Sequence, residues 1–589
     1  MVKRYLVTTS DERTWPEDKP ILFLGEWCKK YSRRGYWGNV NSITVEYHWN
    51  NRDKLYTDYK YIQNLYEELL PAFSETLNKY NNTNHDIEYW RIIAGPWLSS
   101  YIAILFDRWS MIEYTLSNYE LECTLILDLN NKHMVPHDMS DFNSMYINDE
   151  WNSFMYSKVI DYLGGVNVID ITVDTNKDLS KYKFNNRKSF IKQFATKLKR
   201  WFGSLTEVLG INNDVFFISS YFSTFNLWKL QIKLGQFPTI INFVPTSNLN
   251  STLKDRDNLS INFKCNNKFE DFLIKIIPHQ IPLVYLEGYK EILERVNDKY
   301  WPSNPKIILT AICYIYDDFF KIWAAEKIKQ GSRLYIEQHG GHFGTGKFSS
   351  YEDHQLKISH FLSWGWVYGD LNNITPLPAT KLINIQKKFK SLCDGGILLV
   401  TTEFPRYSNH LMSIPIEASQ YSKYEDDQMN LVSLLNIEIR SKLTVRTFHE
   451  KFGCEQKQRW VDCFENLTLD SGENSMKKSI SKNRLVVSTQ NSTIMLELLA
   501  ANVPTVLFWN KEHWELNSLA RPYYDELRDV GILHDTPESA ARHINKVWNK
   551  IDIWWTKQDT QNVRIKFCEQ YAKTSDNWLN LWKLCLENL

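Results

Sequence analysis

Apolar residues in this chain come in short unbroken runs, and each run closes on small or polar residues before a helical spacing begins. Runs of that kind predict strands buried on both faces, as in parallel sheets linked by crossover helices. The first two are Lys3 to Thr8 and Ile21 to Gly25. Val215 to Tyr221 follows, with Ser219 and Ser220 at its polar tip and helical spacing over Thr224 to Leu234. Lys306 to Thr310, a helix over Asp317 to Gln330 stopped by Gly331, and Arg333 to Glu337 form a βαβ unit. After it, Asn372 to Pro378 is turn-rich and suits a domain junction. A second series then runs through Gly396 to Thr402, Leu443 to Phe448 and Arg484 to Ser488, a helix over Thr493 to Ala501, and a strand over Pro504 to Trp509. Pro537 to Leu589 is helix-rich and is expected to pack back across the first domain. The fold class is therefore α/β with two Rossmann-like domains facing a cleft, divided as 1–375, 376–560 and a helical segment 561–589.

Composition narrows the function classes. Lys plus Arg and Asp plus Glu balance at 69 each, which argues against a nucleic-acid-coating protein and predicts no nucleic-acid partner. The 14% aromatic content, with 22 Trp, suits core packing and, in part, sugar platforms. The N-terminal residues lack a signal-peptide pattern and no run of about 18 apolar residues occurs, so the chain is expected in the cytoplasm. Its nine cysteines show no metal or redox spacing and read as reduced thiols.

The candidate chemistry lies at strand ends. Arg333 to Glu337 runs into His339-Gly-Gly-His-Phe-Gly-Thr-Gly-Lys347, where glycines permit close approach and His339, His342 and Lys347 supply proton transfer and charge. Gly341 to Lys347 mimics part of a P-loop, but Phe348 stands where Mg²⁺ coordination needs Ser or Thr, and Ser349 to His354 do not read as the start of a helix. Glu337, His339 and the Gly340 and Gly341 amides together can handle a proton and hold an anion. A second loop, Ser488-Thr-Gln-Asn-Ser-Thr493, opens a helix; Asn491 or Ser492 can cap it while the free amides and the Ser492 and Thr493 hydroxyls face a phosphate. Glu497 is placed to accept from a ribose hydroxyl or to complement the helix dipole. Val400 to Tyr407 adds Glu403 and Arg406, the latter a phosphate fork or one half of a salt bridge. Glu26, Trp27 and Trp97 are further acceptor-side candidates, with core packing as the competing use of the tryptophans.

These features resemble a GT-B glycosyltransferase. More specifically, Glu337-Gln-His-Gly-Gly341, the stretch from Glu352-Asp-His354 to Trp364-Gly-Trp366, and Ser488-Thr489 to Asn491-Ser-Thr493 with Glu497 and Pro504-Thr505 resemble transferases of bacterial O-antigen and capsule clusters, over most of the chain. The resemblance implies kinship with CMP-sugar-dependent transferases of Kdo and of nonulosonic acids, pseudaminic acid favoured. It implies transfer without a metal or other cofactor, with a CMP-sugar as donor and a glycan or lipid-linked glycan as acceptor. Peripheral contact with the inner face of the cytoplasmic membrane is compatible with it. One departure matters: retaining Kdo transferases of this kind place an acidic residue and Asp-Gly where this chain has Gln338-His339-Gly340.

The resulting assignment makes His339 and Glu337 catalytic. Ser488, Thr489, Asn491, Ser492, Thr493 and Glu497 bind the nucleotide; Gly340, Gly341, His342, Lys347, Glu403 and Arg406 bind substrate; no metal ligands are assigned. The competing functions are a polyol-phosphate transferase of teichoic-acid type and a non-catalytic glycan-binding assembly protein.

Overall fold

In the computed structural model, every strand among the described residues belongs to one of three sheets. The described residues are 2–129, 131–172, 214–238, 249–296, 301–369, 371–389, 391–449 and 452–588. The first sheet holds β1 (Arg4–Val7), β2 (Ile21–Phe23), β3 (Ser42–Thr44), β4 (Leu121–Asp128) and β5 (Asn167–Thr172) in the order β3-β2-β1-β4-β5. The second holds β6 (Val215–Ile218), β7 (Ile307–Thr310), β8 (Arg333–Glu337), β9 (His360–Ser363) and β10 (Ile374–Pro376) in sequential order. The third holds β11 (Gly396–Val400), β12 (Leu443–Arg446), β13 (Thr468–Asp470), β14 (Asn483–Ser488), β15 (Thr505–Phe508) and β16 (Leu533–His534) in the order β13-β12-β11-β14-β15-β16. Among the described residues all the strand pairings within these sheets are parallel.

The apolar runs explain these strands. β6, β7 and β15 are buried at every position, as expected of strands covered on both faces. β5 was not anticipated, because it is an exposed edge strand with Asn167 and Asp170 breaking its apolar pattern. The turn-rich segment after Trp366 differs from expectation: Ile374–Pro376 pairs with β9 as the edge of the second sheet. Pro376 is tolerated there because an edge strand can spare a donor. Ser349 also corrects the sequence reading. Its hydroxyl accepts from the Glu352 amide and caps a helix over Ser350–Ile358, which the weak apolar period concealed.

Two long helices, Arg52–Asn81 and Gly95–Asn118, pack against each other beside the first two sheets and seal Trp97 in the core, while Trp90, on the short helix between them, is sealed there too. Near the C-terminus the helix Trp578–Asn588 returns to the second sheet, where Trp578 and Trp582 join Phe217, Leu309, Tyr335 and Leu362. Trp582 Nε1 donates to the Pro378 carbonyl at 2.9 Å. No helix among the described residues is long and apolar enough to cross a membrane.

The carboxyl ends of the sheets meet. The loop after β8 touches the loop after β14, and the segment after β11 reaches Trp27, beyond β2, through Arg406. This is a GT-B-like arrangement of parallel α/β units facing one another. The third sheet has the Rossmann order, in which ligands gather where the order reverses, here between β11 and β14.

Candidate active site

Glu337 is the last residue of β8 and turns inward. Its Oε1 accepts from the Tyr221 amide at 2.6 Å and from the Thr380 hydroxyl at 3.2 Å, while Oε2 is buried without a partner. Burial pushes its carboxyl up to about 7, against the opposing pull of those two donors. Gln338 is fully buried and shapes the turn: Nε2 donates to the Gly340 carbonyl, and Oε1 accepts from the Trp364 amide and Trp366 Nε1. The Gln338 side chain is thus spent on structure.

His339 follows at the rim, partly exposed, with its ring edge-on to Phe343 at 4.6 Å. Its Nδ1 is buried without a partner. Burial, with Lys381 adding to it, lowers its pKa to about 4, so the imidazole is neutral at pH 7. Gly340 and Gly341 lie against the second loop. A Cβ on Gly341 would sit 2.3 Å from the Ser492 carbonyl carbon, and one on Gly340 2.6 Å from Thr493 Oγ1. Only glycine permits that approach. The contact is fixed by the Gly341 amide donating to Thr493 Oγ1 at 3.2 Å.

Across this contact stands the helix Thr493–Ala500. Neither expected cap is used: the Ser492 side chain makes no capping bond, and Asn491 is buried, donating to Thr345 Oγ1 and accepting from the Tyr524 hydroxyl. The first-turn amides have no intrahelical partners. Glu497 faces Lys381, with Nζ 3.4 Å from Oε1, and Lys381 also lies 5.3 Å from the Tyr221 ring centroid. The structure therefore brings Glu337, His339, Gly340, Gly341, Ser492, Thr493 and Glu497 together around a cation the sequence reading missed. Lys381 and Thr380 follow β10, and Tyr221 follows β6; no motif marks them, and only the sheet order places them here.

The remaining assignments fall on supporting structure. Ser488 and Thr489 are buried, and Thr489 is tied to the Val400 carbonyl at 2.9 Å and the Tyr424 hydroxyl at 2.6 Å. His342 is buried at φ 75°, its ring against Gly346, and burial lowers its pKa to about 4. Lys347 points away, its Nζ 4.3 Å from the Tyr56 ring centroid. Glu403 accepts from the Cys454 amide at 2.9 Å, its pKa raised by burial. Arg406 is buried, donating through Nη1 to the Trp27 carbonyl and through Nη2 to both Asp149 oxygens at 3.0 and 3.1 Å. The salt-bridge alternative is the one seen: the guanidinium joins segments that follow the first and third sheets' strands, with both terminal nitrogens engaged and Nε buried without a partner. Trp27 and Trp97 are core residues.

Comparison with known proteins adds three findings on solved structures. The apo structure of OtsA is 12% identical, with 64% of this chain and 98% of that one covered at a TM-score of 0.35. The wall teichoic acid polymerase TagF is 10% identical, covering 68% and 98% at 0.32. WaaG, a glycosyltransferase involved in lipopolysaccharide biosynthesis, is 10% identical, covering 64% and 99% at 0.28. No curated protein matches the sequence. The model of the LIC12162 family transferase matches residues 4–586, nearly the whole chain, so both facing loops and every sheet that carries them lie inside that match, and the protein belongs to the LIC12162 transferase family.

Proposed function

We propose that this transferase is a glycosyltransferase that moves an acidic 2-keto sugar, nonulosonic or Kdo-like with pseudaminic acid favoured, from a CMP donor onto a bacterial surface glycan. The observation that carries the reading is the contact between the His339 loop and the start of the Thr493–Ala500 helix. It sets a neutral imidazole beside uncapped amides, a free Ser492 hydroxyl and Lys381.

Each group has a task in that reaction. The helix amides, the Ser492 hydroxyl and Lys381 stabilise the departing CMP phosphate, whose charge grows as the glycosidic bond breaks. His339 takes the proton of the attacking hydroxyl. Its low pKa in the free protein arises from burial and from Lys381. A donor anion neutralises Lys381 and favours the imidazolium, which raises the basicity of the ring when substrate is present. Glu337 holds Tyr221 and Thr380, and through them the backbone beside Lys381. The acidic sugar suits a site with a lysine at its centre, and a metal-free, cytoplasmic reaction at the membrane's inner face completes the proposal.

A thermal-shift panel of CMP, CDP, UDP, GDP and ADP tests the donor. A nucleotide that binds the native state stabilises it by about 2.7 kcal/mol at a hundredfold excess over Kd. A CMP-selective shift is expected, and transfer assays should yield a glycoside. A shift confined to another nucleotide, or a phosphodiester in the product, overturns the proposal.

A further inference from the structure

A pocket of about 560 Å³ lies where residues 50–53 of the N-terminal part face Ser419, Gln420 and Lys423 on one side and Glu512, His513 and Glu515 on the other. Its volume falls within the range of roughly 300–1,000 Å³ typical of small-molecule sites. The two halves are pinned together at its edge. Arg52 forks onto Glu515 at 2.7 and 2.8 Å and donates to the Ile414 carbonyl, and Gln420 Nε2 donates to the Trp49 carbonyl at 3.1 Å. One wall is stitched to the glycine-rich loop: the Lys347 amide donates to the Glu515 carbonyl at 2.9 Å, and Gly346 pairs with Leu516.

The lining defines the guest. Charged groups comprise Arg52 and Lys423 against Asp53, Glu512 and Glu515, so the pocket has a slight excess of negative charge and does not suit a phosphate or a carboxylate. No Phe, Tyr or Trp lines it for a base to stack on. The remaining groups are amides, a hydroxyl and His513, which is 8% exposed and whose ring makes no hydrogen bond among the described residues. Burial, with Arg52 and Lys423, lowers the His513 pKa to about 3 and keeps the ring neutral. A neutral imidazole among amides and carboxylates offers both donors and acceptors to a ligand carrying many hydroxyl groups.

We infer that this pocket binds a neutral saccharide unit of the acceptor glycan; its role as an acceptor subsite rests on the glycosyl-transfer reading above, whereas its affinity for saccharide does not. The test uses the full chain with the methyl β-glycosides of glucose, galactose, N-acetylglucosamine and glucuronic acid, followed by saturation-transfer NMR. At least one neutral glycoside should bind, more tightly than the glucuronide, and CMP should not displace it. His513→Ala and the pocket-filling Asp53→Trp, at an exposed position, should each weaken that binding at least tenfold while the CMP thermal shift is unchanged. Absence of binding by all four glycosides, unaltered binding in Asp53→Trp, or displacement by CMP overturns the inference. Glycoside binding without any nucleotide shift keeps the saccharide site and removes the transfer reading instead.

Discussion

At the scale of single residues, the proposed general base is His339. His339→Ala should lower transfer by about 10²–10⁴-fold, the usual weight of a general base, while CMP affinity and thermal stability stay near those of the parent; full activity removes the catalytic role. The charge argument makes a second prediction. The imidazole titrates near 4 in the free protein because burial and Lys381 oppose its charged form. Saturating CMP should move that pKa upward in an NMR titration of the ring, and an unchanged value places the phosphate away from Lys381. The prominence of His339 was legible because a buried strand ended in glycines and histidines. Lys381 was not legible: Ala379-Thr-Lys-Leu382 has no signal of its own, and its meaning comes from Glu497 and Tyr221, which lie far away in sequence.

At the scale of elements, the helix Thr493–Ala500 shows what a motif conveys and what it leaves open. Its position after β14 was readable from the apolar run and the Ser/Thr cluster. Its capping was not, since Ser492 leaves its hydroxyl free and Asn491 turns to Thr345 and Tyr524. Ser492→Ala with Thr493→Ala removes a free hydroxyl and the acceptor of the Gly341 amide. CMP affinity should fall by about 1–3 kcal/mol, the cost of leaving buried polar groups unmatched, as read by calorimetry; unchanged affinity reduces the segment to a structural turn.

At the scale of the whole molecule, the parallel α/β character followed from unbroken apolar runs, but the division into three sheets did not. Strand order is a long-range property, and the first sheet is completed by β4 and β5 only after the two long helices have intervened. The Arg406–Asp149 pair joins those distant parts. Burial opposes the Asp149 carboxylate, yet Arg406 first and then Lys30 hold its pKa well below the ordinary range. A depressed carboxylate adds stability above its unfolded pKa, which is lost as pH falls through the folded value. Arg406→Ala should therefore cost about 3–5 kcal/mol at pH 7, measured by urea unfolding, and the deficit should shrink below about pH 4 as the carboxylate in the variant takes up its proton. A constant deficit across that range assigns the loss to packing alone. The return of the helix Trp578–Asn588 to the second sheet bears on how the protein is made. That sheet's last strand ends at Pro376, so about 200 residues must be translated before its covering helix exists, on the order of ten to forty seconds on the ribosome. During that interval the apolar face of the second sheet that packs against Trp578 and Trp582 lacks this helix as its cover.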